Sequence, residues 1–389
     1  MMSDVMIVGA GPAGLAFARG LAGAGLSVAV IERQPRAALA DPPDDGREIA
    51  LTHRSVATLR ALDAWRRIDP AVVAPLRVAR VLDGASRFAL AFEPGPGAQD
   101  RLGQLVANHH LRRALFAAAD GQAGLTLHTG AGVAAVERDA DGIAVTLADG
   151  RRVRARLLVA ADARFSATRA ALGIAARETR LDRTMLLVRA THDRDHGQVA
   201  TEWFDYHQTV ALLPLAGRCT SVVLTVRPGD AGRIAALDPA ALSAELTRRT
   251  GGKLGMMRPV GAVHAYPLAT VWSTHFAAPH AALIGDAAVG MHPVTAHGFN
   301  LGLRSAAALA GLVRHAAARG GDIASPRLLR RYEAGHRLAA GPLFAATAGI
   351  VRLYTDAGPV ARIARPTLLR VAAGLSPLRA GVAHLLMRH

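Results

Sequence analysis

The sequence predicts an α/β protein: a Rossmann-like parallel sheet, a second layer rich in strands, and helices toward the C-terminal end. Three stretches predict it. In Asp4 to Glu32 an apolar strand (Val5 to Val8) runs into Gly9-Ala10-Gly11-Pro12-Ala13-Gly14. A helical pattern follows, then a second apolar strand, Val28 to Ile31, that ends on Glu32. In the second stretch an apolar run, Leu157 to Ala161, ends on Asp162. In the third, Ala281 to Ile284 breaks at Gly285-Asp286, and the loop through Asn300 feeds a helix expected over Leu301 to Ala318.

The first stretch carries the chemistry. Gly9 permits the tight turn, Gly11 lets a pyrophosphate approach the backbone, and Gly14 lets helix and strand pack closely. Pro12 and Ala13 open the helix, whose N-terminus presents N–H groups and partial positive charge to phosphates. Glu32 stands where a carboxylate accepts from ribose hydroxyls, with Arg33 beside it. A lone glycine pattern is weak. Strand, glycines, helix, strand and acid in register mark a dinucleotide site, without deciding between FAD and a nicotinamide. Gly285-Asp286 and the loop after it make a second place where a helix N-terminus meets polar ligand atoms.

Composition sets the outer bounds. The chain has 389 residues, enough for about two domains. Apolar residues make up 51%, which argues against extended disorder. Formal net charge is +16, which favours anionic partners unless it reflects arginine bias on a solvated surface. With no zinc-knuckle, helix-turn-helix or RNP-like pattern, nucleic acid is not expected, and an anionic membrane surface is the better reading. The single cysteine, Cys219, excludes an internal disulfide and reads as a small core residue. No signal-peptide pattern and no run of about 18 uncharged apolar residues is present, so the expected location is cytoplasmic, peripheral on the inner membrane. No His, Cys or Asp cluster has metal-ligand spacing, and no metal is expected.

In chain order, a polar loop from Arg33 to Asp45 leads to Arg47 and a helix carrying Ser55, Leu59 and Leu62. Arg47, on a loop beside a dinucleotide site, suits a phosphate. Val78 to Phe92 alternates as strands do, and Pro94 to Gly97 reads as a turn. Leu105 to Ala119 reads as a helix with Asn108 as a candidate N-cap. Short strands with an Asp149-Gly150 hairpin turn follow, then a strand-rich stretch from Thr184 to Val226 and a helix opened by Asp238-Pro239. From Arg327 onward the pattern is helical. Leu368, Val371, Ala372 and Leu375 share a face, as do Leu378, Val382, Leu385 and Leu386, with Arg370, Arg379 and Arg388 between. Such runs suit a helix packed on the domain or a basic amphipathic surface on a membrane.

Taken together, Gly9-x-Gly11-x-x-Gly14 ending on Glu32, Asp162-x-x-x-Ser166-x-x-Arg169, and Gly285-Asp286 followed by Pro293, Gly298 and Asn300 resemble the class A flavoprotein monooxygenases of the p-hydroxybenzoate hydroxylase fold. His292-Pro293-Val294, Asn300 to Arg304, and Arg47-x-x-Ala50-Leu51 look most like the ubiquinone-biosynthesis hydroxylases, the demethoxyubiquinol hydroxylases above all. The resemblance implies an FAD-binding domain over 1–75, 100–178 and 270–340, a β-sheet substrate domain over 76–99 and 179–269, and a C-terminal helical segment over 341–389. It implies that Gly9, Gly11 and Gly14 pass the FAD pyrophosphate, Glu32 binds the adenosine ribose, Arg47 contacts FAD near its phosphates, and Asn108 or Arg112 adds contacts from the next helix. Asp162 and Arg169 belong to a motif shared by FAD and NAD(P)H, Asp286 binds the ribityl chain, and Pro293, Gly298, Phe299 and Asn300 line the isoalloxazine ring. Four positions depart from the family: Ala163 and Ala296 replace glycines, Val289 a histidine, and Ser305 an aspartate.

The implied activity is hydroxylation of a polyprenylated quinol or phenol ring through a flavin hydroperoxide, with NAD(P)H as co-substrate and other ubiquinone-biosynthesis proteins as partners. Two other readings stand beside it: an aromatic or polyketide hydroxylase of secondary metabolism, and a non-catalytic flavoprotein subunit of a biosynthetic complex. His292 and His297 are the titratable residues nearest the expected ring, and each is either a proton-handling catalytic group or a hydrogen-bonded structural histidine.

Overall fold

Val5, Met6 and Ile7 are fully buried because their strand, Met2–Val8, runs through the middle of a parallel sheet. In the computed structural model, which describes residues 2–84, 86, 88–94, 100–139, 142–205 and 208–355, that strand pairs in parallel with Val28–Glu32 on one side and Arg152–Ala160 on the other. Leu125–Thr129 and Ala281–Leu283 extend the sheet outward, again in parallel. A strand buried on both faces needs an unbroken apolar run, and the three stretches read from the sequence supply it. The Asp149-Gly150 turn forms as expected, with Gly150 at φ +84° closing an antiparallel hairpin onto Arg152–Ala160.

Two helices lie together on this sheet, Pro12–Gly20 and Gly298–Ala317. Their contact depends on small residues: a Cβ added at Gly20 would stand 2.9 Å from that of Ala310. The second helix starts at Gly298, three residues earlier than expected, so the glycine itself is helical.

A second sheet, mostly antiparallel, is formed by the strands Val78–Asp83, Ala89–Phe92, Ala176–His192, Val199–Asp205, Gln208–Pro214, Cys219–Val226, Met257–Ser273 and Val289–Gly290. Its two faces differ. One is covered by the helices Pro228–Ala235 and Pro239–Arg249, which bury Val210, Leu212, Val222 and Leu224 against Ile234 and Leu246. The other turns toward loop 44–48 of the first layer: Gly46 packs on Leu187 and His264, and Arg189 reaches Asp44 and Glu48. Cys219 opens its strand half-buried rather than in the core.

A third, three-stranded sheet corrects one expectation. Gly103–Ala107 is a strand, paired with Glu48–Leu51 and Ala74–Leu76, and the helix begins only at Asn108. Leu105, Val106 and Ala107 are apolar enough for either state, and the two partner strands decide it. The N-cap is Ala107, and the Asn108 amide donates elsewhere.

Among the described residues no helix is long and apolar enough to cross a membrane, and no group of three or more His, Cys, Asp or Glu is placed to hold a metal. The amphipathic runs at Leu368, Val371, Ala372 and Leu375 and at Leu378, Val382, Leu385 and Leu386 lie outside the described residues, as do positions 95–97 of the expected turn.

The helix Pro326–Thr355 is tied to the first sheet by Tyr332, fully buried, whose hydroxyl donates to the Leu283 carbonyl at 2.6 Å. Tyr332→Phe strands that carbonyl and is expected to lower unfolding free energy by about 1–2 kcal/mol in urea titration.

Candidate functional site

The glycine loop is set by backbone contact. Gly9 has φ +105°, and a Cβ there would stand 2.5 Å from the Ala161 carbonyl oxygen. A Cβ at Gly14 would stand 2.0 Å from the Gly9 carbonyl oxygen. Neither position admits any other residue without moving backbone. Gly11 differs: nothing lies within 4 Å of a Cβ placed there, so its face is open. The helix it caps has no side-chain cap and begins with Pro12, which brings no N–H. That open N-terminus can accept an anion. Glu32 closes the loop from below, with one carboxylate oxygen accepting from the Ala10 N–H at 2.7 Å and the other from the Gln34 N–H at 2.9 Å. Gln34 in turn accepts from Arg112 at 3.1 Å, while Arg33 points to solvent as an exposed residue.

The middle motif and the Gly-Asp motif meet at the end of the same sheet. Asp162 binds the Ser166 hydroxyl and accepts from the Thr168 N–H at 3.0 Å, fixing the start of the short helix Ala167–Ala171. Arg169 is buried; its guanidinium donates to the Arg164 and Ala287 carbonyls at 3.0 and 3.2 Å and pairs with Glu178 at 2.9 Å. The resemblance assigns Arg169 to cofactor binding. The structure instead gives its guanidinium a bracing role behind the site, because both carbonyls it holds belong to the loops that face inward.

Arg164 is the residue that sequence reasoning missed. It donates to the Ala269 carbonyl at 2.5 Å, to the Met291 carbonyl at 3.1 Å and to the Asp286 carboxylate at 3.1 Å. One side chain thus ties the middle motif to the Gly-Asp motif and to the second sheet. Gly290 makes room for it, since a Cβ there would stand 2.7 Å from its Nε. Gly285, at φ +60°, presses on Ala13 of the glycine helix, where an added Cβ would stand 2.9 Å away. Its N–H donates to Ser305, so the serine that replaces the family's aspartate still holds the turn.

From the other side, loop 44–48 converges on Asp45. Arg47 pairs with its carboxylate at 2.6 Å and lies over the Tyr266 ring, Asn108 donates to it at 2.8 Å, and Tyr266 donates to its carbonyl. Burial works against its ionisation, but the hydrogen bond and charge of Arg47 win and hold the Asp45 carboxyl below its ordinary range. Loop 291–300 closes the arrangement. Pro293 opens a short turn, capped by the His292 ring, whose Nδ1 accepts from the Val294 N–H at 3.1 Å. Burial, then the Arg164 charge, pushes the His292 imidazole down to about 4. His297 is buried just before the helix, and Phe299 packs on the main core. Asn300 is buried, with its amide donating to the Ala50 and Ala296 carbonyls and accepting from the Thr52 N–H. It joins this loop to strand Glu48–Leu51 rather than presenting its amide to a ligand.

The two alanines that replace family glycines share one property. Ala163 has φ +76° and Ala296 φ +52°, both in the left-handed region. The turns still form, with strain a glycine would lack.

These residues fit an elongated dinucleotide: an open, uncapped helix N-terminus at Gly11, an acid at the end of the second strand, an arginine on the facing loop, and an aspartate at a second glycine turn. The comparisons agree. A family described as an FAD binding domain matches residues 2–345. The ubiquinone hydroxylase UbiM of Neisseria meningitidis is 42% identical, covering 97% of this chain and 83% of its own. The ubiquinone hydroxylase UbiL of Rhodospirillum rubrum is 36% identical, covering all of this chain and 89% of its own. The 3-demethoxyubiquinol 3-hydroxylase of Escherichia coli is 30% identical over 85% of this chain and 84% of its own. Among solved structures, p-nitrophenol 4-monooxygenase of Pseudomonas putida superposes with a TM-score of 0.80 over all of this chain and 98% of its own at 17% identity. HpxO of Klebsiella pneumoniae, complexed with FAD and uric acid, superposes with 0.75 over 99% and 97% at 20% identity. At those identities the structures show the fold.

Two expected outcomes follow from this geometry. Ala163→Gly and Ala296→Gly each relieve a left-handed alanine and are expected to raise unfolding free energy by about 1 kcal/mol in denaturant titration. His292 takes up its proton in the unfolded chain near 6.5 but in the folded chain only near 4. Its contribution is therefore present above about pH 6.5 and is lost as pH falls toward 4. Melting curves at pH 7.5 and 4.5 are expected to show a smaller acid-induced loss in His292→Asn than in the wild type.

Proposed function

Since the chain belongs to the FAD-binding domain family, we propose that it is a flavin-dependent monooxygenase that hydroxylates the ring of a polyprenylated quinol or phenol in ubiquinone biosynthesis. The observation that carries this reading is the meeting of three distant motifs: Gly9 against Ala161, Gly285 against Ala13, and Arg164 on Asp286. Relatives named as ubiquinone hydroxylases, matched over nearly the whole chain, support the substrate class.

Bound FAD, with NAD(P)H as reductant and dioxygen as oxidant, would supply the oxygen chemistry. The protein supplies binding, orientation and shelter from water. Gly11 and the helix N-terminus would receive the pyrophosphate, Glu32 the ribose, Arg47 with Asn108 or Arg112 the flank near the phosphates, and Asp286 the ribityl chain. Loop 293–300, held at one end by the His292 cap and at the other by Asn300, would line the ring. The facing sheet forms the substrate side. A long isoprenoid tail calls for peripheral membrane contact, and the charge of +16 suits an anionic lipid surface.

The decisive experiment is mass spectrometry of quinone intermediates in a deletion strain. A prenylated ring lacking one hydroxyl is expected to accumulate, and an unchanged quinone profile would send the protein to another aromatic substrate. A second outcome concerns Arg164. Arg164→Ala is expected to weaken FAD binding about tenfold in fluorescence titration of apoprotein, since it removes the partner of Asp286 and frees the Met291 carbonyl.

A further inference from the structure

Glu202 lies in strand Val199–Asp205 of the second sheet, two strands from the sheet's end. Its face is fixed by register. Glu202 pairs with Ala211 on one side and Val81 on the other; Ala211 pairs with Val223, Val223 with Leu187, and Leu187 with His264. Paired residues project to the same side of a sheet. Glu202 therefore shares a side with Leu187 and His264, which pack on Gly46, and not with Trp203, Val210 and Leu212, which face the covering helices. The first-layer loop that carries Arg47 docks on the Glu202 side.

That side is packed unevenly: Ala211, Phe204, Ser221 and Asp83 are buried on it, but Glu202 itself is not fully covered. The helix-covered positions Val210, Leu212, Val222 and Leu224 are all buried, whereas Leu213, Val223 and Glu202 on the other side are only half-buried. The neighbours of Glu202 are small or apolar: Ala200, Ala211, Val81 and Val223. Among the described residues no hydrogen bond or ion pair holds its carboxyl. Burial alone, with no charged neighbour contributing, lifts that carboxyl to about 8. Glu202 is thus enclosed by neighbouring residues yet still reached by solvent. An acid kept there without a partner is costly unless something else uses it.

We propose that the Glu202 carboxyl recognises a ring hydroxyl of the aromatic substrate, accepting its hydrogen bond and then its proton. This rests on the functional reading above. In the step, the phenolic O–H bond breaks, the proton passes to a carboxylate oxygen of Glu202, and the electron pair stays on the ring oxygen. The phenolate so formed is a more electron-rich ring for hydroxylation. A carboxylate of ordinary basicity is a poor partner for a phenol near 10, and one lifted to about 8 is closer by more than 3 units. Asp83 is the titratable group on the same side of the neighbouring strand. Arg189, His264 and the charged residues of loop 44–48 lie three or more strands away.

The test uses purified holoprotein and two stable probes, 2-prenylphenol and its methyl ether, with binding read from the visible absorption band of bound FAD. The wild type is expected to prefer the phenol by about 10- to 100-fold. Its bound phenol should show a phenolate difference spectrum that grows as pH rises through 8. Glu202→Gln is expected to cut the preference at least tenfold, Glu202→Leu to abolish it, and Glu202→Asp to keep part of it, all with unchanged FAD content. A wild type that does not discriminate, or that binds neither probe, overturns the proposal, as does a Gln or Leu variant with the wild-type ratio. The functional reading fails separately, on the quinone profile of the deletion strain.

Discussion

The site depends on one close backbone contact. The glycine loop can lie at the end of strand Arg152–Ala160 only because Gly9 and Gly14 have no Cβ, with Gly14 directly against the Gly9 carbonyl. That contact sets the position of the helix N-terminus, and through Ala13 the position of Gly285. Side chains then fasten what the backbone has brought together. Arg169 holds two inward-facing loops by their carbonyls, and Arg164 links both to the second sheet. Some of the arginine that produces the high net charge is therefore interior bracing, not solvated surface.

The first sheet was legible because its strands are buried on both faces and punctuated by glycine and acid. The third sheet was not, since Leu105 to Ala107 suits strand and helix equally and only pairing with Glu48–Leu51 decides. The start of strand Ala176–His192 was hidden for another reason. Residues 177–180 are charged or polar and exposed, so no alternation marks them. Pairing with Met257–Ser273 carries the strand through them.

At the site, residue type was easier to read than role. His292 caps a turn within loop 291–300, and the Asn300 amide ties that loop to strand Glu48–Leu51, roles that residue type alone does not announce. Arg164 gave no signal, because an arginine after Asp-Ala in a loop reads as surface. Glu202 gave none either: one acid in a half-buried strand reads as a solvent-side position. Only the register across five strands shows which way it faces.

The strands Ala176–His192 and Met257–Ser273, each 17 residues long, run side by side with register shifts at 180–184 and 187–189. They join the second sheet to the rest of the molecule as a strap of hydrogen-bonded ribbon and not as a loose tether. The two register shifts interrupt the ladder, and it is at those places that the ribbon bends.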